Sequence, residues 1–322
     1  MAQKLRAAVI GLGNMGRHHT RVYSELNETQ LIGVCDANKE LAQEYAKKYS
    51  CKAFDSLEEL MKQEKPEIVS IAVPTNKHFE ATEKVLHYAN VLLEKPIAES
   101  IESAKKIEEL AKKSDYKLMI GHIERFNPVI RFLKKFLIEK NESLLSLSIE
   151  RLGIAPPKNI STGVTVDLAI HDIDIFRYLT EEEITETNGF AKNFGVTNVD
   201  DHCHIFIKGK TASASIVANW VNPTKIRQLR ATLKNYFIYL DYISQKIELY
   251  EKNELFDPLL EGPTFSTIEL QKQEPLKLEI LSFIEAVKNN REVEVSAAEG
   301  KKNLETALNA LKSAEKNGFK IN

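Results

Sequence analysis

Over about the first 125 residues the chain alternates short apolar runs with amphipathic, charge-rich stretches. Apolar runs at residues 7–10, 31–35, 68–73, 91–93 and 117–121 predict strands. Between them, residues 17–26, 39–48, 57–63, 78–88 and 101–113 carry apolar positions at helical spacing. Strands alternating with helices of this length predict a parallel sheet with helices on both faces. From about residue 144 the period changes to two, over 146–150, 202–208, 212–220, 226–233, 236–240 and 246–250. Alternation of that kind predicts a large, mostly antiparallel sheet with one covered face. A helix over 164–179 interrupts it, and two more, near 275–289 and 297–317, close the chain. Lys234-Asn235 and Lys208-Gly209-Lys210 fit hairpin turns, and residues 255–266 read as a loop.

The fold class expected from this pattern is α/β. A doubly wound parallel domain spans 1–125, and an α+β domain with an open sheet spans 126–322, its C-terminal helix able to pack back on the first. Ligands on a parallel sheet of this kind bind beyond the carboxyl ends of the strands. The turn Gly11-Leu12-Gly13-Asn14-Met15-Gly16, Asp36, Val73-Pro74-Thr75, Glu94-Lys95-Pro96 and Gly121-His122 all fall at such ends. They are expected to line one crevice.

Composition narrows the classes of partner. Lys plus Arg is 44 against 46 for Asp plus Glu, so no basic footprint for nucleic acid is present. No apolar run approaches the roughly 18–20 residues that span a bilayer. The N-terminal apolar stretch runs into glycines and does not read as a signal peptide. Cys35, Cys51 and Cys203 show no CxxC spacing, which fits buried thiols in a reducing cytoplasm.

Glycines at 11, 13 and 16 let the backbone approach a diphosphate at a helix N-terminus, where free N–H groups and the helix dipole favour anions. Asp36 lies 20 residues after Gly16 and ends the second predicted strand. A carboxylate there accepts hydrogen bonds from ribose hydroxyls and repels a 2′-phosphate. That favours NAD over NADP, with Lys39 nearby keeping NADP open. Lys95 precedes a proline that restricts the turn and aims its side chain. An ammonium at the mouth of a nucleotide crevice can polarise an alcohol or carbonyl oxygen. Asp167 and His171 fall four apart on the helix predicted for 164–179, and Asp174 extends the same face. A histidine with a carboxylate one turn away suits acid/base work near neutral pH. His78 is a candidate for the nicotinamide end. His202 and His204 share a strand face, but no third ligand stands at suitable spacing, so no metal is expected.

These motifs together resemble the glucose–fructose oxidoreductase / inositol dehydrogenase / rhizopine-catabolism family of NAD(P)-dependent oxidoreductases. The resemblance rests on residues 11–16, Val73-Pro74-Thr75, Glu94-Lys95-Pro96, Gly121-His122, Arg125-Phe126-Asn127-Pro128 and residues 167–174. It implies an N-terminal Rossmann domain and a C-terminal α/β domain whose open sheet packs substrate on one side and a partner subunit on the other, as a homodimer or homotetramer. It implies Lys95, Asp167 and His171 as the catalytic group. His122, Arg125, Asn127 and Asp174 follow as candidates for substrate contact, Arg125 for a phosphate. Glycine turn, Asp36, Val73, Pro74, Thr75, His78, Glu94 and Lys95 would hold the cofactor. Within the family, residues 121–128 and 166–174 are most similar to UDP-N-acetylglucosamine 3-dehydrogenases. One departure is Ser161-Thr162-Gly163-Val164, where many members carry two or three glycines before the catalytic helix. The expected activity is hydride transfer between a sugar secondary alcohol and nicotinamide. An inositol or simple-sugar dehydrogenase is the alternative, and a non-catalytic NAD(P) sensor is the rival from another class.

Overall fold

A computed structural model describes residues 3–154, 162–252 and 264–316. The first stretch runs β1 (Leu5–Ile10), α1 (Asn14–Glu25), β2 (Thr29–Cys35), α2 (Lys39–Tyr49), β3 (Lys52–Phe54), α3 (Leu57–Glu64), β4 (Ile68–Ile71), α4 (His78–Val85), β5 (Asn90–Glu94), α5 (Ile101–Lys113) and β6 (Leu118–Gly121). All six strands are parallel, in the order β3-β2-β1-β4-β5-β6. The order reverses between β1 and β4, and a reversal opens a crevice at the carboxyl ends of those two strands. Both faces of the sheet are covered. That is why β4 and most of β1 and β5 are buried and read as runs that are apolar but for Ser70 on β4. Side-chain oxygens of Asn38, Ser56 and Ser100 cap α2, α3 and α5. β3 is an addition to the sequence-based reading. It has three residues, two of them exposed, and so leaves almost no apolar signal.

The second stretch contains α6 (Pro128–Glu139), β7 (Leu144–Ile154), α7 (Val164–Asp167), α8 (Ala169–Thr180), β8 (Glu186–Lys192), β9 (His202–Lys208), β10 (Ser213–Asn219), β11 (Val221–Leu233), β12 (Tyr236–Asp241), β13 (Lys246–Glu251) and β14 (Thr264–Glu269). They form an eight-stranded sheet in the order β14-β13-β12-β11-β7-β10-β9-β8. Every pair is antiparallel except β7 with β10. α8 packs on β7 and β10 and buries one face. The hairpin turns at Lys234-Asn235 and after Lys208 fall where the spacing put them.

Three features differ from expectation. α6 was not anticipated, although its buried Val129, Ile130, Leu133, Phe136 and Leu137 follow a helical period. β8 buries only Ala191 fully, too little for alternation to show. The last residues of the predicted loop, 264–266, begin β14, while 255–263 lie outside the described residues.

α9 (Pro275–Lys288) and α10 (Ala297–Lys316) close the chain. The molecule divides into two compact units, Met1–Ile123 with Pro275–Leu304, and Glu124–Glu274 with Glu305–Asn322. The division falls inside α10. In the first unit α9 packs on α1 and β5, and the Ile120 N–H donates to the Val295 carbonyl at 3.0 Å. No described helix is long and apolar enough to cross a membrane.

Candidate functional site

The glycine turn joins β1 to α1 at the point where strand order reverses. Gly11 adopts φ +86°, and a Cβ there would lie 2.6 Å from the Ala72 carbonyl oxygen. A Cβ on Gly16 would lie 1.7 Å from the Gly11 oxygen. Both positions therefore exclude side chains for reasons internal to the fold. Gly13 differs: nothing lies within 4 Å of where its Cβ would project. It precedes α1, whose N-terminus has no side-chain cap and no acidic residue in its first turn. The first N–H groups and the positive end of the dipole thus face open space, as a diphosphate requires. Asp36, just past β2, accepts the Leu12 N–H at 2.7 Å through one oxygen and the Asn38 N–H at 2.8 Å through the other. It locks the turn and keeps spare acceptor capacity for ribose hydroxyls. Lys39 is ion-paired with Asp55 at 2.5 Å.

Gly11, Gly13, Asn14, Asp36, Val73 and Pro74 line a cavity of about 850 Å³. A cavity of similar size, about 890 Å³, lies at the amino ends of the strands and includes Leu5, Met61, Pro66 and Tyr88. It contains none of the candidate residues, so the chemistry points to the first one. These residues fit a dinucleotide. Gly13→Ala is expected to fold normally, since the methyl meets no protein atom, but to weaken NAD binding at least about tenfold by occupying the diphosphate position. Isothermal titration with NAD, alongside a melting curve, checks both halves.

Glu94-Lys95-Pro96 follows from the end of β5. The Lys95–Pro96 peptide bond is cis, and Lys95 is half-buried. Glu94 is buried; its Oε1 lies 2.9 Å from His19 Nε2, and its Oε2 accepts the Lys95 backbone N–H at 3.3 Å. Burial would push the Glu94 carboxyl up. The His19 hydrogen bond and charge, then the charges of Lys95 and His78, outweigh burial and hold it below the usual range. His78 is 1% exposed, with Nδ1 2.9 Å from the Pro96 carbonyl and Nε2 3.0 Å from the Val73 carbonyl. Burial pushes its pKa down, against the two carbonyls and the Glu94 charge, which favour the protonated ring. It ties the Val73-Pro74-Thr75 turn to the Pro96 turn. Thr75 opens the short helical turn that leads into α4. His122 is fully buried after β6, 3.4 Å from Asn303.

In the second unit the predicted helix over 164–179 is two helices, broken at Leu168 (φ −102°). Asp167 ends α7 and is half-buried, and His171 lies in the first turn of α8, 7% exposed. The His171 N–H donates to the Leu168 carbonyl, three residues back, at 3.2 Å. The simple four-residue relation of Asp167 to His171 is therefore replaced by a tightened turn. α8 begins without a cap, while the side chain of Asp200 accepts the Thr165 N–H at 2.9 Å and its hydroxyl at 2.6 Å at the start of α7.

Arg125 and Asp174 form a bidentate pair, at 2.7 and 2.8 Å, with neither side chain more than 3% exposed. Asn127 caps α6 through Val129 N and donates to the Tyr242 carbonyl at 3.2 Å. Two polar networks were missed by sequence reasoning. One is His19–Glu94 with Ser70 and Tyr23. The other is Arg151, which holds Asp172 at 2.7 and 2.9 Å and Glu124 at 2.6 Å. Burial opposes the Arg151 charge, but Asp172 and Glu124 outweigh it and push its pKa well above the ordinary value. The available signal was the density of acids on an otherwise apolar helix, where nine of twelve residues are buried. His202 and His204 do share a face of β9, with ring centroids 4.9 Å apart beside Phe190, and no group of three metal-ligating side chains occurs among the described residues.

Two family profiles match the chain. One, described as an oxidoreductase family with an NAD-binding Rossmann fold, covers residues 5–122, and the other, the GFO/IDH/MocA C-terminal domain, covers 154–234. UDP-N-acetylglucosamine 3-dehydrogenase of Acidithiobacillus ferrooxidans is 29% identical over 309 residues, 94% of this chain and 95% of that protein. Its solved structure superposes with a TM-score of 0.87 at 27% identity, covering 98% of this chain and 99% of that one. The NAD-dependent scyllo-inositol 2-dehydrogenase of Bacillus subtilis is 26% identical, over 100% of this chain and 97% of its own length. With a parallel dinucleotide sheet in the first unit and the matching C-terminal profile in the second, the chain belongs to the GFO/IDH/MocA family of NAD-binding oxidoreductases.

Proposed function

We propose that the chain is an NAD-dependent dehydrogenase of a sugar secondary alcohol, and that its substrate is UDP-N-acetylglucosamine, oxidised at C3. The observation that carries this reading is the end-to-end likeness to the Acidithiobacillus enzyme in both sequence and fold. The first unit would hold the cofactor and the second the sugar. Bound NAD supplies the hydride acceptor. His171 takes the hydroxyl proton, Lys95 donates a hydrogen bond to the developing alkoxide, and Asp167 supports the charge of this pair. The buried Arg125–Asp174 pair and Asn127 would shape the substrate side by fixing α6 and α8, and His122 would do the same for the end of β6. The exposed face of the eight-stranded sheet is the proposed contact for a homodimer or homotetramer.

A second reading, an inositol dehydrogenase, is favoured by the full-length match to the Bacillus enzyme. The presence of both Lys95 and His171 argues against a non-catalytic sensor. Absorbance of reduced nicotinamide, followed with UDP-N-acetylglucosamine, scyllo-inositol and glucose in turn, tests the assignment. A rise with the nucleotide sugar is expected. A rise confined to inositol or glucose overturns the substrate. NAD binding without turnover of any sugar overturns the enzyme reading.

A further inference from the structure

We propose that His19 is a positioning residue for Lys95 and acts through Glu94. This rests on the role of Lys95 given above. The His19 ring is fully buried on the inner face of α1, a place where an apolar side chain would ordinarily serve. Its Nε2 lies 2.9 Å from Glu94 Oε1 and its Nδ1 2.9 Å from Ser70 Oγ on β4. Ser70 Oγ lies in turn 2.9 Å from the hydroxyl of Tyr23, one turn further along α1. A continuous buried line therefore runs from Tyr23 through Ser70 and His19 to Glu94, and ends on the Lys95 backbone N–H.

The geometry gives each oxygen of Glu94 one task. His19 holds Oε1, which fixes the plane of the carboxylate, and Oε2 then faces Lys95 N. A buried carboxylate without such a donor takes up a proton, because burial disfavours its charged form. The neutral acid would then present a hydroxyl where Lys95 needs an acceptor. It would also withdraw a negative charge that interacts with the Lys95 ammonium. His19 thus governs where the Lys95 segment sits, while touching neither cofactor nor substrate. A purely structural tie between α1 and the sheet would instead affect stability and cofactor binding together.

The test uses the full chain with NAD and UDP-N-acetylglucosamine, or whichever sugar the wild type oxidises, in His19→Leu, His19→Gln, Glu94→Gln and the two double variants. Glutamine can reach Glu94 with its amide, so it should keep the donor. His19→Leu is expected to lower kcat about tenfold or more, as misplacement of a reacting group does, with the Kd for NAD changed less than about threefold. His19→Gln should recover most of that loss, and Glu94→Gln should lose as much as either double variant, since the two residues act as one unit. Parallel losses in kcat, KM and NAD affinity, or losses that multiply in the double variants, overturn the proposal. If His19→Leu does not fold, the comparison of Glu94→Gln with His19→Gln/Glu94→Gln decides it, and any further loss in the double variant counts against it. A wild type that is active while His19→Leu matches it overturns this inference alone. A wild type inactive on every sugar overturns the reading beneath it.

Discussion

Lys95→Ala is expected to lower kcat by about 10²–10³-fold, the usual loss when one preorganised donor to a developing oxyanion is removed. The Kd for NAD should stay within about threefold, because Gly13, the uncapped start of α1 and Asp36 hold the dinucleotide by groups that this change does not touch. Stability should change little. Lys95 is half-buried at a strand end; alanine removes the ammonium charge that acts on Glu94 but keeps the backbone N–H that donates to it, and the larger His19 hydrogen bond to Glu94 remains. Single-turnover kinetics and a cofactor titration on the same preparation separate these outcomes. A variant with near-normal turnover would sink the assigned mechanism while leaving the family and the fold untouched.

Asp172→Ala is expected to destabilise the protein by about 3–5 kcal/mol, the cost of stripping a buried cation of its partner. The reason is geometric. Arg151 is 3% exposed, and Asp172, fully buried, engages two of its nitrogens. Glu124 alone would remain to balance a charge that the interior cannot solvate. An exposed pair of similar length provides the contrast. Glu186 and Lys208 meet at 2.8 Å on neighbouring strands, yet both are about 60% exposed, so Lys208→Ala should cost about 0–1 kcal/mol. Denaturant melts of both variants measure the difference. Equal losses would mean that burial is not what sets the value of the Arg151–Asp172 pair.

Lys95 stood out in the sequence because a strand, a charged pair and a proline occur in a fixed order around it. The glycine turn and Asp36 were readable for the same reason: backbone approach to an anion needs particular residues at particular spacings, and spacing is a property of sequence. The parallel strands were readable because burial on both faces makes them continuous apolar runs, and β9 because one covered face makes it alternate. Where burial was slight the signal vanished, as in β3 and β8. α6 is a different case. Its helical period is present in Val129, Ile130, Leu133, Phe136 and Leu137, directly after the Arg125-Phe126-Asn127-Pro128 motif whose Asn127 caps it.

The sequence by itself determined the class of fold, the cofactor and the candidates for chemistry, because each depends on local period or on the identity of residues a fixed distance apart. Only the tertiary structure decided how those polar residues are used. His78 became a clamp between two turns, and Arg125 became the partner of Asp174. The predicted single helix was cut at Leu168. Arg151 met Asp172 across 21 residues, and His19 met Glu94 across 75. The physical reason is that a buried polar group must find a partner wherever the packed chain brings one within about 3 Å. Such a partner can come from any part of the sequence, so no local pattern records it.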